Sequence, residues 1–126
     1  MAEFANWNSF FTHLECTRCG KIETTDKLLG LCSCGAPLFA RYDLKSLREQ
    51  WPRTALRDAE ASLWRYQPVL PVLRQENRVT LGEGWTPLLQ SRALAAKIGV
   101  QNLWIKDESP NATASFKARG MSLAVS

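Results

Sequence analysis

The sequence lacks the features of a membrane-spanning or exported protein. No apolar run approaches the roughly 20 residues that a transmembrane helix needs. Glu3 stands where a secretory signal would have a basic start followed by an apolar run. Internal repeats and low-complexity segments are also absent. We therefore expect a cytoplasmic protein with no membrane partner.

The chain also lacks a strong excess of charge of either sign. Its 126 residues include 16 Lys and Arg against 12 Asp and Glu, a net charge of +4, and the basic residues are scattered along the chain. Nucleic acid is therefore not an expected partner. With 45% hydrophobic and 22% charged residues, the composition is that of a globular protein of about one small domain.

The hydrophobic pattern divides the chain into four segments. Residues 1–12 carry four aromatic residues at near-helical spacing, which predicts an apolar face that docks on a core. These residues are Phe4, Trp7, Phe10 and Phe11. Residues 13–43 contain short β-forming stretches separated by Cys-Gly pairs, which are typical of a small β ribbon. Residues 44–79 are predicted to be a helical connector, and residues 80–126 the beginning of a truncated α/β domain.

Local signals predict the helices of the last two segments. Asp43 can cap one helix and Thr54 a second one that runs through Trp64. A third helix is predicted over 92–98, ended by Gly99 in left-handed conformation.

A buried strand is predicted at 103–105, and a further helix begins near Ser115 and is unfinished at Ser126. One strand and two helices cannot cover a parallel sheet, so we expect the chain to be a fragment of a larger protein.

Four cysteines form a CxxC pair, a gap of twelve residues and a CxC pair. They are Cys16, Cys19, Cys32 and Cys34, and a glycine follows each pair. Two such turns can complete a tetrahedron of four thiolates, which favours zinc in a structural site, with iron as the main competitor. Disulfides or unrelated thiols are the alternative, although a cytoplasmic location disfavours disulfides. His13 is not expected to be a ligand, because four sulfurs already complete the site.

A lysine is predicted to emerge at the start of the last helix. The strand predicted at 103–105 runs into a turn of small residues, and Lys117 follows in the first turn of the next helix, beside Phe116. A lysine near a helix N-terminus can be held in a form that a carbonyl cofactor captures as an imine. An ordinary exposed helix lysine is the alternative reading of the same pattern.

Several motifs resemble those of one enzyme family. Residues 106–108 and 111–120 are similar to the KxE and NPTGSFKxRG motifs of fold type II pyridoxal-phosphate enzymes. Residues 80–89 resemble the GEGxTPL motif of the same family, and residues 63–66 and 70–71 resemble the WRY and LLP segments of threonine synthases. A cysteine ribbon precedes these segments in part of the threonine synthase group. The expected fold is thus an α/β fragment with a four-cysteine zinc ribbon, helices and the start of the fold type II domain.

The sequence departs from the family motif at three positions. Ala112 stands where the family usually has proline, and Ala118 replaces a common aspartate. Ala114 stands where the family usually has glycine, so a left-handed turn there would be strained by roughly 1 kcal/mol. These changes leave the substrate open among members of the family.

The resemblance implies a cofactor, a reaction and site residues. It implies that Lys117 is the catalytic residue and forms the Schiff base with pyridoxal 5'-phosphate, that Phe116 and Ser115 flank the cofactor, and that Thr86 lines the substrate entrance. The implied reaction converts O-phospho-L-homoserine, an amino-acid phosphate, and water into L-threonine and phosphate. Lys106 and Glu108 are expected to pair with each other or to support the loop.

Other family features fall outside this chain. The family's phosphate-binding loop lies farther along in such enzymes, so the isolated fragment is expected to be inactive, and homo-oligomer formation by the full-length protein is left open. A threonine or serine dehydratase-like or cysteate synthase-like enzyme is the alternative within the family. A free-standing zinc-ribbon module that binds nucleic acid or protein is the alternative outside it.

Overall fold

A computed structural model of the chain describes residues 7–25 and 28–126. The chain divides into two compact units. The first comprises the described residues up to Ala59 together with Tyr66–Asn77. The second comprises Glu60–Arg65 together with Arg78–Ser126. Residues 60–65, part of the predicted connector, therefore group with the segment that begins at Arg78.

A three-stranded antiparallel sheet forms the first unit's regular core. Its strands are β1 (Phe11–Cys16), β2 (Ile22–Glu23) and β3 (Leu38–Tyr42), in the order β2-β1-β3. Cys16 pairs with Leu38 across the sheet, which brings the two cysteine-bearing turns to the same end. The β-forming stretches predicted between residues 13 and 43 are thus strands.

The aromatic residues at the start of the chain pack without forming a helix where the structure describes them. Residues 7–10 have no regular secondary structure, and Phe11 already belongs to β1. Phe4 lies outside the described residues. The Trp7 indole N–H donates to the Val72 carbonyl at 3.0 Å, and the Phe10 N–H donates to the Pro68 carbonyl at 2.9 Å. These bonds tie residues 7 and 10 to another stretch of the first unit, while the docking of the aromatic face on a core stays a prediction.

The helix α1 (Leu44–Gln50) follows the sheet. The Asp43 carboxylate accepts a hydrogen bond from the Ser46 N–H at 3.0 Å, as expected for an N-cap. Lowered by hydrogen bonds from the Ser46 hydroxyl and N–H, the pKa of Asp43 lies below its usual range. The cap that the sequence predicted is therefore confirmed.

The second helix predicted from Thr54 to Trp64 is wrong. A short 3-10 turn at Arg53–Leu56 is followed by loop, and another 3-10 stretch covers Leu63–Val69. The Leu63 N–H, which a helix would have used internally, donates instead to the Glu83 carbonyl at 2.7 Å. A contact distant in sequence thus replaces the local helical bond.

The second unit contains two short strands and two helices. Strand β4 (Leu88–Gln90) pairs antiparallel with β5 (Trp104–Lys106), and α2 (Arg92–Ile98) connects them. Gly99 ends α2 with φ 75°, as predicted. All three residues of β5 are exposed, so the prediction of a buried strand is wrong for this structure. The last helix is α3 (Lys117–Val125).

Among the described residues, none of the helices combines the length and the apolar character required to cross a bilayer.

A buried carboxylate organises the loop that precedes β4. Glu83 is only 1% exposed and accepts hydrogen bonds from the Trp64 indole at 3.2 Å, the Leu81 N–H at 2.9 Å and the Thr80 hydroxyl at 3.1 Å. Burial raises the pKa of Glu83. The hydrogen bonds from the Ser122 hydroxyl, the Leu81 N–H and the Thr80 hydroxyl outweigh this effect, so the pKa lies below its usual value. The carboxylate is thus ionised and bound on several sides.

Gly84 passes close to the backbone of Leu63, and we expect alanine there to destabilise the protein. Its φ is +101°, and a Cβ would lie 2.4 Å from the Leu63 nitrogen. Gly84→Ala should lower the free energy of unfolding by roughly 2–4 kcal/mol, through backbone strain plus steric overlap. Gly82→Ala is the matched control, because Gly82 has φ +78° but open space around it. The control should cost only about 1 kcal/mol; equal urea midpoints for the two variants would contradict the steric reading.

Candidate functional site

The four cysteine sulfurs lie close together at the end of the three-stranded sheet. All four Sγ atoms are within 4.8 Å of one another. The Cys16 and Cys34 sulfurs are 3.5 Å apart, and the Cys19 and Cys32 sulfurs are 3.7 Å apart. A zinc–sulfur distance of about 2.3 Å in a tetrahedron gives sulfur–sulfur edges of about 3.8 Å. The structure therefore brings together all four predicted ligands at a spacing that fits one tetrahedral metal ion.

Tight turns aim backbone N–H groups at the sulfurs. The N–H groups of Cys19 and Arg18 each lie 3.4 Å from the Cys16 sulfur, and they lower the pKa of Cys16 to about 6. At Cys34 the Ala36 N–H acts in the same direction, but the neighbouring Cys16 sulfur raises the pKa of Cys34 to about 12. Four thiolates this close repel one another, so a cation is needed for all of them to ionise together.

Contacts between the two turns keep the cysteine pairs in register. The Thr17 N–H and hydroxyl both lie 3.1 Å from the Pro37 carbonyl oxygen, and the Arg18 guanidinium donates to the Cys34 carbonyl at 3.3 Å. His13 is not one of the residues of the sulfur cluster. Its Nδ1 lies 3.0 Å from the Thr12 hydroxyl. The turns thus hold the sulfurs together, and the cluster found among the described residues contains no histidine.

Lys117 is the first residue of α3 and is exposed. Phe116, immediately before it, exposes 64% of its surface, and Ser115 is half-buried. The Ser115 side chain lies 3.3 Å from the Lys117 N–H and accepts a hydrogen bond from it. The three residues predicted to bind the cofactor therefore form one continuous patch at the start of a helix.

The loop before Lys117 contains a residue in left-handed conformation. Ala114 has φ 52°, at the position where the resemblance leads one to expect glycine. Left-handed geometry costs a residue with a Cβ roughly 1–2 kcal/mol. The Ala114 N–H donates to the Asn111 carbonyl at 2.7 Å, which closes the turn. The strain expected from the sequence at this position is confirmed.

A network of four side chains, here called the Glu108 clamp, lies next to this loop. Its members are Thr86, Glu108, Asn111 and Arg119. The Arg119 guanidinium donates two hydrogen bonds to the Glu108 carboxylate, at 2.8 and 2.9 Å. The Thr86 hydroxyl donates to the same carboxylate at 2.6 Å, and the Asn111 amide donates to it at 2.8 Å. The clamp therefore joins β5's end, the loop and α3 at a single charged group.

The clamp also uses the hydroxyl that was predicted to meet the substrate. Thr86 is only 7% exposed, and its hydroxyl accepts a hydrogen bond from Arg119 at 3.1 Å while donating to Glu108. The Lys106 ammonium donates to the Thr86 carbonyl. The substrate-binding role of Thr86 stays a prediction, and the structure gives its side chain a place inside the clamp.

Lys106 and Glu108 do not pair with each other. Lys106 contacts the Thr86 backbone, whereas Glu108 is paired with Arg119. Of the two expectations for these residues, the ion pair between them is wrong and the support of the loop is confirmed. Arg119 and Asn111 were not singled out from the sequence, since the predicted turn before the last helix does not show which side chains meet Glu108.

Comparisons with known proteins find a family model that is similar to this segment. The model of the family described as "Pyridoxal-phosphate dependent enzyme" matches residues 79–126. These residues include Lys117 and the whole clamp. This segment of the chain is therefore similar to pyridoxal-phosphate-dependent enzymes.

Similarity to curated relatives extends beyond residues 79–126. The chain is 37% identical over 110 residues, 87% of its length, to a threonine synthase of Methanocaldococcus jannaschii. It is 40% identical over 114 residues, 90% of its length, to a threonine synthase of Methanosarcina acetivorans. A threonine synthase of Synechocystis is 43% identical over 74 residues, which cover 54% of this chain and 19% of that protein.

The chain spans about a quarter of the first two relatives, since each match covers 27% of their length. No solved structure matches the chain. The resemblance to threonine synthases stated from the sequence motifs is confirmed by these relatives. Matches over 87% and 90% of the chain also take in residues that precede the family segment.

We expect the four cysteines to hold one metal ion per chain. The double variant Cys19→Ser, Cys32→Ser removes one sulfur from each pair and should abolish metal binding, because two thiolates cannot complete a tetrahedral site. Elemental analysis of the purified proteins measures this directly. His13→Ala is the control and should keep the full metal content. Full metal content in the double variant, or disulfides in the unaltered protein, would overturn the assignment.

We expect the ion pair between Glu108 and Arg119 to stabilise the protein in a pH-dependent way. Hydrogen bonds from Arg119 and then Thr86 lower the pKa of Glu108 to about 2, from a usual value of 4.5. A lowered folded-state pKa gives stability that is present above about pH 4.5 and is lost as the pH falls toward 2. Glu108→Gln should therefore lower the melting temperature at pH 7 and converge with the unaltered protein near pH 2. A difference that stays constant with pH would show that the charge is not responsible.

Proposed function

We propose that this chain is part of a threonine synthase, which converts O-phospho-L-homoserine and water into L-threonine and phosphate in the cytoplasm. The observation that carries the proposal is the match, over 87% and 90% of the chain, to two proteins named threonine synthase. The family segment supports the same reading, because it contains Lys117 in a setting suited to a cofactor.

The described residues fit pyridoxal phosphate at the start of α3. Lys117 presents its amine to solvent from the first residue of the helix, and the exposed Phe116 ring lies next to it in sequence. An accessible amine beside an apolar ring suits an aromatic aldehyde, and the Ser115 hydroxyl next to them accepts a hydrogen bond from the Lys117 backbone N–H. Residues 115–117 are therefore the part of this chain that would hold the cofactor.

Pyridoxal phosphate supplies an aldehyde that captures amines and a ring that withdraws electrons from the carbon next to the captured nitrogen. Lys117 would bind the cofactor through its Nζ atom, give it up to the amine of the substrate, and then exchange protons at the substrate carbons. Phe116 and Ser115 would orient the cofactor. The clamp holds the backbone of this segment while these steps proceed.

We propose that the four cysteines hold a structural zinc ion. Four sulfur ligands leave no coordination position for water or substrate, so the metal would fold the turns and take no part in the reaction. Zinc binding is worth roughly 10–16 kcal/mol in small peptides, enough to fold a small ribbon. Iron is the competing occupant, and its strong visible absorbance would identify it.

Reduction of the natively expressed protein with borohydride tests the cofactor assignment. Borohydride converts a lysine-bound cofactor into a stable pyridoxyl adduct, which peptide mass analysis locates. We expect the adduct on Lys117 and its loss in Lys117→Ala. Lys97→Ala, which removes a lysine from the last turn of α2, is the control and should leave the adduct in place. An adduct on another lysine, or none, would refute the role of Lys117.

The products formed by the same protein test the reaction. Incubation with O-phospho-L-homoserine should release phosphate and form threonine in equal amounts. Ammonia and a keto acid formed from threonine or serine would instead indicate a dehydratase. A cofactor adduct without phosphate release would support a pyridoxal-phosphate-dependent enzyme but would show that O-phospho-L-homoserine is not its substrate.

A further inference from the structure

The Glu108 clamp holds both ends of the segment that carries Lys117. Asn111 lies six residues before the lysine, and Arg119 lies two residues after it. Both donate to the Glu108 carboxylate, at 2.8 Å from Asn111 and at 2.8 and 2.9 Å from Arg119. The segment between them is therefore anchored at two points to one charged group.

The residues between these anchors make local contacts. Ala114 bonds to Asn111, and the Ala118 and Arg119 N–H groups bond to the carbonyls three residues earlier, at 3.3 and 3.2 Å. Phe116 and Lys117 are exposed. The direction in which the lysine leaves the backbone thus depends on where the two anchors are fixed.

The clamp in turn ties this segment to the loop before β4. The Asn111 side-chain oxygen accepts from the Gly84 N–H at 3.0 Å, and Thr86 donates to Glu108 at 2.6 Å. Asn111 is 6% exposed and Thr86 is 7% exposed, so these bonds are shielded from water. Glu108 is the shared acceptor of this arrangement.

We propose that Glu108, acting through Arg119 and Asn111, is the positioning residue that aims Lys117 at the cofactor. The inference rests on the proposed role of Lys117 and goes further, because it assigns a function to a carboxylate outside residues 115–117, the part of the chain proposed to hold the cofactor. Glu108→Gln keeps the size of the side chain but turns an NH2 group toward the donors. The paired bonds from Arg119 cannot both form, and the anchor loosens.

A second ion pair in the same unit provides a matched control. Arg78 donates to the Glu60 carboxylate at 2.7 and 2.5 Å, again through two nitrogens. The side chains are exposed to a similar degree, 20% and 32% for this pair and 26% and 22% for Arg119 and Glu108. Glu60→Gln thus removes a comparable interaction that does not anchor the lysine segment.

The experiment measures cofactor capture separately from stability. The natively expressed protein and its variants are stripped of cofactor and mixed with pyridoxal phosphate, and borohydride-trapped Lys117 peptide is quantified against time. We expect at least a tenfold slower capture in Glu108→Gln and less than a twofold change in Glu60→Gln. Melting temperatures of the cofactor-free proteins should fall by similar amounts in the two variants.

Arg119→Lys gives a milder test if Glu108→Gln does not fold. It keeps the charge but loses the two-pronged contact, and capture should slow by several-fold. Capture by the clamp variants at the rate of Glu60→Gln, with normal labelling of Lys117 in the unaltered protein, would overturn this inference and leave the proposed function intact. Absence of labelling at Lys117 in the unaltered protein would overturn both.

Discussion

One buried carboxylate, Glu83, and one half-buried carboxylate, Glu108, hold together distant parts of the second unit. Burying an ionised carboxylate is costly unless hydrogen bonds and opposite charges compensate it. Glu83 is compensated by an indole, a backbone N–H and hydroxyl groups, and Glu108 by a guanidinium, a hydroxyl and an amide. Each therefore fixes donors from stretches that are distant in sequence. Loss of either carboxylate would leave those donors without their partner, which costs more than the bonds themselves contribute.

The cysteine turns of the first unit are held in a different way. The buried cluster at the end of its sheet consists of Cys16, Cys32 and Ala36, with Leu38 packed against it. Such a cluster buries too little apolar surface to order two turns, since each apolar side chain contributes only about 1.5–3 kcal/mol. Sulfur–metal bonds are directional and strong, so a bound ion would supply what packing does not. Polar atoms at fixed positions thus order parts of both units: carboxylates in the second unit and, with a bound ion, cysteine sulfurs in the first.

Several local signals predicted the structure correctly. The Asp43 cap and the helix ended by Gly99 each depend on residues only a few positions apart, and each cysteine pair lies within one tight turn. The second helix failed because Leu63 donates to Glu83, twenty residues away, and the helical pattern near Thr54 carries no trace of that partner. Exposure of β5 was missed for a related reason: its apolar composition predicts burial, but burial depends on which elements cover it.

In the candidate site, too, the local motif could be predicted from the sequence and the contacts between distant residues could not. Lys117 was recognisable because its neighbours match a family motif, whereas the clamp that holds it was not, since Glu108 and Arg119 meet only through the fold.

Ala114 connects the family motif around Lys117 with the Glu108 clamp. A sequence comparison suggests strain there, and the φ of 52° places the residue in the left-handed region. The cost of roughly 1–2 kcal/mol must be offset nearby. The bond from Ala114 to Asn111 contributes about 1 kcal/mol, but only while Asn111 itself is held in place. Asn111 is held by Glu108 and by the Gly84 N–H. The strained turn before Lys117 therefore depends on the Glu108 carboxylate, which also anchors the helix after it through Arg119. Lys117 lies between these two anchored parts of the chain.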